Sequence, residues 1–376
     1  MFAFEMRNCY LALLFIVASL SAIASGFPGD SVSNVPLKPR FLYNVDAAFW
    51  FDNREYNEPW QTAQTLFAVR LSPEIGLGFT DMKDGVHRLM AGFQYIQPMG
   101  GNFYDLRMHP TLYYRYQYKG LTVNLGAIPY KYFIRQLPDF MRYDMVAYNR
   151  PNIQGALVQY QSRHGYVEAM LDWRGMKKVD QREMFRATID GEYSYQGFFR
   201  YFVGGVAQMN HKAKYGSFVY LEGTGDDVYV SPNLGVDFSA PTPLEVLSIK
   251  ASYIFGYQRL RRFGIACMPQ GVMFECIANW RWLGVKNTFY YGDNLMPFYN
   301  LYGTDLNQGD PFYQSDIYNR TDFYVYIVHN SFLNCYFSWN LHWTRQGGLQ
   351  HQQQLIAVFS LDGIGKKEKL RGLFDK

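Results

Sequence analysis

The side chains best suited to chemistry in this sequence crowd into one irregular stretch. Residues 130–152, YKYFIRQLPDFMRYDMVAYNRPN, carry Lys131, Arg135, Asp139, Arg142, Asp144 and Arg150 among Tyr, Phe and Met. Pro138 and Pro151 oppose one continuous helix or strand there. A structureless stretch longer than about 12–15 residues is usually functional or disordered, and this one is too aromatic for disorder. Charges of both signs in such a segment suit a constriction that sorts ions. A second set, Ser338, Asn340 and His342, has the residue types of a hydrolase triad. Two apart on one strand face, such residues stand roughly 7 Å from each other, too far for a direct Ser–His bond. The spacing predicts a polar histidine and no enzyme. The 7 His show no metal-ligand spacing on a helix. Asp226 and Asp227, in the run GTGDD, suit a calcium site or an acidic external turn, and the turn is the expectation. Tyr113, Tyr130, Tyr132 and Tyr143 are candidates for stacking sugars, with a membrane-interface belt as the plainer reading.

The elements that must position these groups are long alternating strands. In SFLNCYFSWNLHWTR (331–345), Leu333, Cys335, Phe337, Trp339, Leu341 and Trp343 form one face, and Asn334, Tyr336, Ser338, Asn340 and His342 the other. Alternation over about a dozen residues fits a tilted membrane strand, typically about 9–11 residues, better than a soluble sandwich strand of about 5–6. The same pattern sets Glu168 and Asp172 opposite Val167, Ala169, Leu171 and Trp173, and sets Arg186, Asp190 and Glu192 opposite Phe185, Ala187 and Ile189. It sets Lys250 opposite Ile249 and Ala251, and Glu275 and Arg281 opposite Phe274, Cys276, Trp280 and Trp282. Charges on every second residue, opposite an apolar face, need a polar interior, which a water-filled lumen provides and a packed soluble core does not. The expected lumenal bases are Arg115, Lys119, Arg186, Arg200, Lys250, Arg281 and Lys286, and the expected lumenal acids are Asp46, Glu168, Asp172, Asp190, Glu192 and Glu275. Trp280, Trp282, Trp339 and Trp343 belong to an aromatic girdle.

About 16 strands follow in order, near 41–52, 63–80, 86–96, 105–118, 120–129, 153–163, 165–174, 182–194, 197–210, 228–238, 246–258, 271–282, 284–292, 321–329, 331–344 and 351–361, an even number as in bacterial single-chain barrels. Connections after even-numbered strands are tight and rich in Gly or Asn, such as Asp84-Gly85, Lys119-Gly120 and Leu283-Gly284. Those after odd-numbered strands are mostly longer, reaching 130–152 and 293–320. Short periplasmic turns alternating with long external loops are the plan of an outer-membrane barrel. The fold expected is therefore all-β, a transmembrane antiparallel up-and-down barrel over 41–362.

The rest of the chain agrees. Residues 10–20, YLALLFIVASL, followed by Ala22-Ile23-Ala24, read as a secretory signal peptide over 1–24. Residues 25–40 then form a short periplasmic segment, and 363–376 a basic tail. Mean hydropathy is −0.22, and no later apolar run approaches the ~18 residues of a membrane helix. Aromatic residues make up 18% of the chain, with 32 Tyr and 30 Phe, more than one soluble core could use. A formal charge of +4 is too mild for nucleic-acid binding. Beyond Cys9, the odd trio Cys267, Cys276 and Cys335 excludes a disulfide scaffold and a zinc site.

Signal peptide, strand number and long third loop together resemble a general porin of the Gram-negative outer membrane, with a Tyr-rich composition similar to outer-membrane proteins of Bacteroidota. The resemblance implies that residues 130–152 fold inward as the constriction, that the chain sits among outer-membrane lipids and lipopolysaccharide, and that it can assemble as a homotrimer. It departs from that family at its C-terminus, where the last strand ends near Phe359 and Leu361 and the basic tail follows. The function implied is passive diffusion of small hydrophilic solutes without cofactor, with weak anion preference because bases modestly lead. The alternatives are a non-conducting anchor and a barrel-embedded hydrolase. No plug precedes Phe41, so an open lumen is expected, although the 293–320 loop could cover the mouth.

Overall fold

The computed structural model describes residues 38–179, 181–213 and 223–361. The expected signal peptide and basic tail lie outside the described residues. The strands β1 (Arg40–Glu55), β2 (Gln64–Thr80), β3 (Val86–Pro98) and β4 (Arg107–Tyr118) lead into β5 (Leu121–Pro129), β6 (Asn152–Ser162), β7 (Gly165–Gly175) and β8 (Met184–Gln196). Next come β9 (Arg200–Lys212), β10 (Gly225–Asp237), β11 (Val246–Leu260), β12 (Ile265–Cys267) and β13 (Gln270–Trp280). β14 (Leu283–Gly292), β15 (Ile317–His329), β16 (Leu333–Thr344) and β17 (Gly348–Ser360) complete the set. β12 is a three-residue piece paired with the end of β11, and β11 pairs onward with β13, so the wall itself has sixteen strands.

Every neighbour is antiparallel, and β1 pairs with β17 from Asp46 opposite Ser360 to Glu55 opposite His351. That pairing closes the sheet and leaves no edge, the condition for strands to cross a bilayer. All sixteen expected strands are present. The largest boundary shift is the start of β15 at Ile317 rather than 321. Tight turns share the end where β1 begins. At Lys119 and Gly120 both φ angles are positive, 44° and 85°. A two-residue hairpin turn of that geometry matches the twist of the strands, and Gly adopts it without Cβ strain.

Side chains alternate as the sequence pattern requires. On β8, Arg186, Thr188, Asp190 and Glu192 are buried in the lumen while Ile189 faces outward, exposed. Trp280, Trp282, Trp339 and Trp343 are exposed on the outer face, as a girdle should be.

The lumen is not an open bore. Two long loops enter from the end opposite the tight turns, residues 130–151 and 293–316. Leu137, Phe140 and Met141 of the first pack on Leu295, Met296, Phe312 and Tyr313 of the second, against Tyr229, Ile254, Met273, Tyr290 and Tyr318 of the wall. Tyr130, Tyr132 and Phe133 pack on Met90, Tyr113, Ile153 and Met170 of β3 to β7. Tyr148 stacks on Trp50 of β1 at 5.0 Å. Backbone bonds interlock the loops, Tyr143 N to Gln308 O at 3.0 Å and Asp310 N to Asp139 O at 2.7 Å. The sequence suggested a constriction by one loop and at most a cover by the other. The described structure has both threaded inward as one apolar plug, because each supplies buried aromatic and aliphatic side chains that neither could bury alone.

Candidate functional site

Below the plug, toward the tight turns, lies a lumenal cavity of about 400 Å³. Seven basic and seven acidic side chains line it. Lys250 and Lys286 flank Glu275, the first in direct contact and the second at 3.8 Å. Arg320 bonds Asp322 at 2.7 Å and approaches Asp139 of the first loop at 3.4 Å. Arg200 bridges Glu192 at 2.7 Å and Asp237 at 3.7 Å. Charges paired this way hold the chamber rigid and cancel its net field.

Most residues singled out in the sequence do face the interior. Lys131 pairs with Asp46 and lies 3.8 Å from Glu74. Arg135 pairs with Glu192. Glu168 accepts the backbone N–H of Ile134 at 3.0 Å and the Gln159 amide at 2.9 Å. Asp144 accepts from Gln354 at 3.3 Å. Asp172 accepts from Gln154 N at 2.9 Å and from the Tyr130 hydroxyl at 3.2 Å. The Arg115 guanidinium stands 4.2 Å over the Tyr132 ring, and Tyr166 donates to Asp190 at 2.7 Å. Arg142 lies 3.6 Å over the Tyr130 ring, where burial, deepened by neighbouring Arg186, pulls its pKa down to about 10.

Two residues expected in the lumen are elsewhere. Arg281 has φ of 54° in the β13–β14 turn and lies 5.2 Å over the Trp280 ring, exposed. Lys119 occupies the β4–β5 turn, also exposed. Alternation alone extended their strands past the point where positive φ ends them. The Ser338, Asn340 and His342 set is inward and buried. Ser338 donates to Asn340, while His342 contacts Tyr318 through Nδ1 at 2.7 Å and Gln352 through Nε2 at 3.2 Å, so no nucleophile–base pair forms.

Asp226 and Asp227 are not an acidic turn. They open β10 on opposite faces of the wall. Asp227 is buried inward, accepting from Asn210 at 3.0 Å and Gln258 at 2.8 Å. Asp226 meets His211 Nδ1 at 2.8 Å and Arg261, whose Nε and Nη2 lie 2.6 and 3.0 Å from its two oxygens. No group of three or more metal-ligating side chains occurs among the described residues. His211 stacks on Phe185 at 5.0 Å, and Phe185 on Trp173 at 5.4 Å. These residues form one registered row, Trp173 opposite Phe185, Phe185 opposite His211, His211 opposite Asp226 and Asp226 opposite Arg259. The row runs at the loop end of the wall, opposite the lumen-facing Asn210 and Asp227. Sequence reasoning passed over it. The available signal was a histidine closing the outward apolar run Tyr201, Val203, Ala207 and Met209.

A family model described as lipid A 3'-O-deacylase-type matches residues 37–361, the whole barrel. This overturns the expectation of a chain with no enzymatic role, since the family it matches is described by a reaction. No curated protein matches. Among solved structures, Pseudomonas aeruginosa OccK1 (OpdK) is 8% identical with a TM-score of 0.51, covering 85% of this chain and 98% of its own. P. aeruginosa OccK9 (OpdG) is 11% identical, with the same coverage and TM-score. A variant of Rhodopseudomonas blastica porin is 10% identical at a TM-score of 0.46, with 86% and 100% covered. At such identities the likeness is one of fold, and the barrel expected from the porin resemblance is the barrel observed. A closed sixteen-strand wall and this family match locate the protein in the bacterial outer membrane.

Proposed function

The chain belongs to the lipid A 3'-O-deacylase-type family, and from that premise we propose that it is an outer-membrane hydrolase. It removes an ester-linked acyl chain from a lipid A-class glycolipid, with His211 as general base. The observation that carries this reading is the His211–Asp226 pair on the outer wall at the loop end. With the long loops facing outward, that row lies at the level of outer-leaflet headgroups, bordered by Trp173 and Phe185. A substrate held in the membrane can reach it without passing the plug.

The chemistry runs as general-base hydrolysis. Asp226 accepts the Nδ1 proton, so Nε2 keeps its lone pair. Arg261 holds both carboxylate oxygens of Asp226 and fixes the imidazole plane through it. Nε2 takes a proton from water as the water oxygen attacks the ester carbonyl. The tetrahedral intermediate then expels the sugar alkoxide, which recovers the proton from His211, leaving a fatty acid and a free sugar hydroxyl. The test is release of fatty acid from a lipid A-class glycolipid by the detergent-folded barrel. His211→Ala is expected to lower the rate by about 10²–10⁴. Full activity in that variant, or none in the wild type, removes the reading.

A second reading, passive diffusion of small hydrophilic solutes, draws support from the polar cavity. The even balance of its lining gives no reason for an anion preference. Planar-bilayer conductance tests it, with stable current steps expected only from an open lumen.

A further inference from the structure

At the loop end of the lumen, between β7, β8 and the two plug loops, positive charge exceeds negative. Arg186 is wholly buried, donating to Gln308 at 2.7 Å and to the Tyr130 hydroxyl, with Asp172 at 3.8 Å. Arg174 donates one N–H to the Asp305 carbonyl at 3.0 Å. Arg142 reaches the Arg150 carbonyl at 3.3 Å. Around these four guanidinium groups Asp172 is the carboxylate on hand, because that of Asp305 pairs with Lys212 at 2.7 Å.

Donors are left over as well. Nε of Arg142, Nε and Nη1 of Arg174, Nε of Arg186 and Nδ2 of Asn307 are buried without a hydrogen-bond acceptor. Asn307 sits between Asp305 and Gln308, the partners of Arg174 and Arg186, so these donors belong to one locality. An unmet buried N–H costs roughly 1–3 kcal/mol, more on a charged group. A crowd of like charges with spare donors fits a multivalent oxyanion, and guanidinium forks match its geometry.

We propose that Arg142, Arg174, Arg186 and Asn307 form a binding site for a phosphoryl group, entered from the loop end where Arg150 is exposed. The phosphoryl group arrives either as a free solute or on a lipid headgroup. The site stands apart from the His211 row and is read without turnover, so its failure and the failure of the hydrolase reading are distinguishable.

The experiment measures the unfolding midpoint of the detergent-folded barrel with and without inorganic phosphate, at matched ionic strength. Parallel arms use mixed micelles with a monophosphorylated glycolipid and with its dephosphorylated counterpart. Phosphate is expected to raise the wild-type midpoint. Arg174→Gln is expected to raise the midpoint without phosphate, because like-charge crowding eases, and to abolish the phosphate response. Arg174→Lys keeps the charge but loses the fork, and is expected to weaken phosphate affinity about tenfold. Protection only by the phosphorylated glycolipid assigns the site to a headgroup; protection by inorganic phosphate assigns it to a free solute. No response from either probe, or an equal response in wild type and Arg174→Gln, overturns the proposal.

Discussion

The backbone N–H of Asp310 donates to the carbonyl of Asp139 at 2.7 Å, joining two loops that leave the wall about 170 residues apart. Gly309 makes that approach possible, since a Cβ there would lie 1.8 Å from the Phe140 carbonyl oxygen. Phe312 then stacks on His342 at 4.6 Å and on Tyr318 at 5.2 Å. The plug is therefore one interlocked body, and neither loop can leave alone without exposing the apolar surface of the other.

Gly309→Val should break that interlock. Forcing bulk into a packed contact costs about 1–3 kcal/mol, and here the cost falls on the plug, whose loops carry no part of the ladder. The expected outcome is faster proteolytic nicking in 130–151 and 293–316, with current steps in a planar bilayer that the wild type lacks. Equal conductance in both proteins would mean that the interlock does not seal the lumen.

Asp310 makes the plug pH-dependent. Burial pushes its carboxyl up to about 7, against the pull of Arg320, although Gln61 donates to it at 2.7 Å. A carboxyl raised in the folded state holds its proton longer there than in the unfolded chain. Stability is thus highest at low pH, falls as pH rises from about 4 to about 7, and levels off above, with a total on the order of 4 kcal/mol. Hydrogen exchange in 293–316 should accelerate over that window and become flat in Asp310→Asn, whose amide oxygen still accepts from Gln61.

The lumenal pair of Asp52 and Arg54 supports the wall where β1 meets β17. Both are buried, 2.7 Å apart, and Gln352 donates to Asp52 at 2.7 Å. Asp52→Ala leaves the guanidinium without its counter-charge and should cost about 3–5 kcal/mol in a urea titration. The double variant Asp52→Ala with Arg54→Met should recover most of it. A single variant as stable as wild type would mean that water compensates the charge.

The wall was legible in the sequence because period-two alternation and the turn/loop alternation report the same strands by separate signals. Most lumenal charges followed by parity, and Arg281 failed where parity ran past a turn. The plug was half legible. Leu295, Phe312 and Tyr313 are spread through an irregular loop with no period, and their burial depends on a partner about 170 residues away. The His211 row depended on cross-strand register, since His211 and Asp226 are separated by a loop whose length does not reveal which residues face each other.

Asp226→Asn is the sharpest probe of the proposed chemistry. The carboxylate can only accept, so it fixes the proton on Nδ1 of His211 and leaves Nε2 free as base. An amide can turn its NH2 group toward Nδ1, which would then accept and place the proton on Nε2, the wrong nitrogen. The side chains are isosteric, so folding and substrate binding should be unaffected. The expected result is a kcat lower by about 10²–10⁴ at unchanged KM. Arg261→Gln keeps the carboxylate and loosens only its orientation, and should fall between the two. If Asp226→Asn instead raised KM at constant kcat, the pair would be a headgroup contact rather than a catalytic base with its orienting acid.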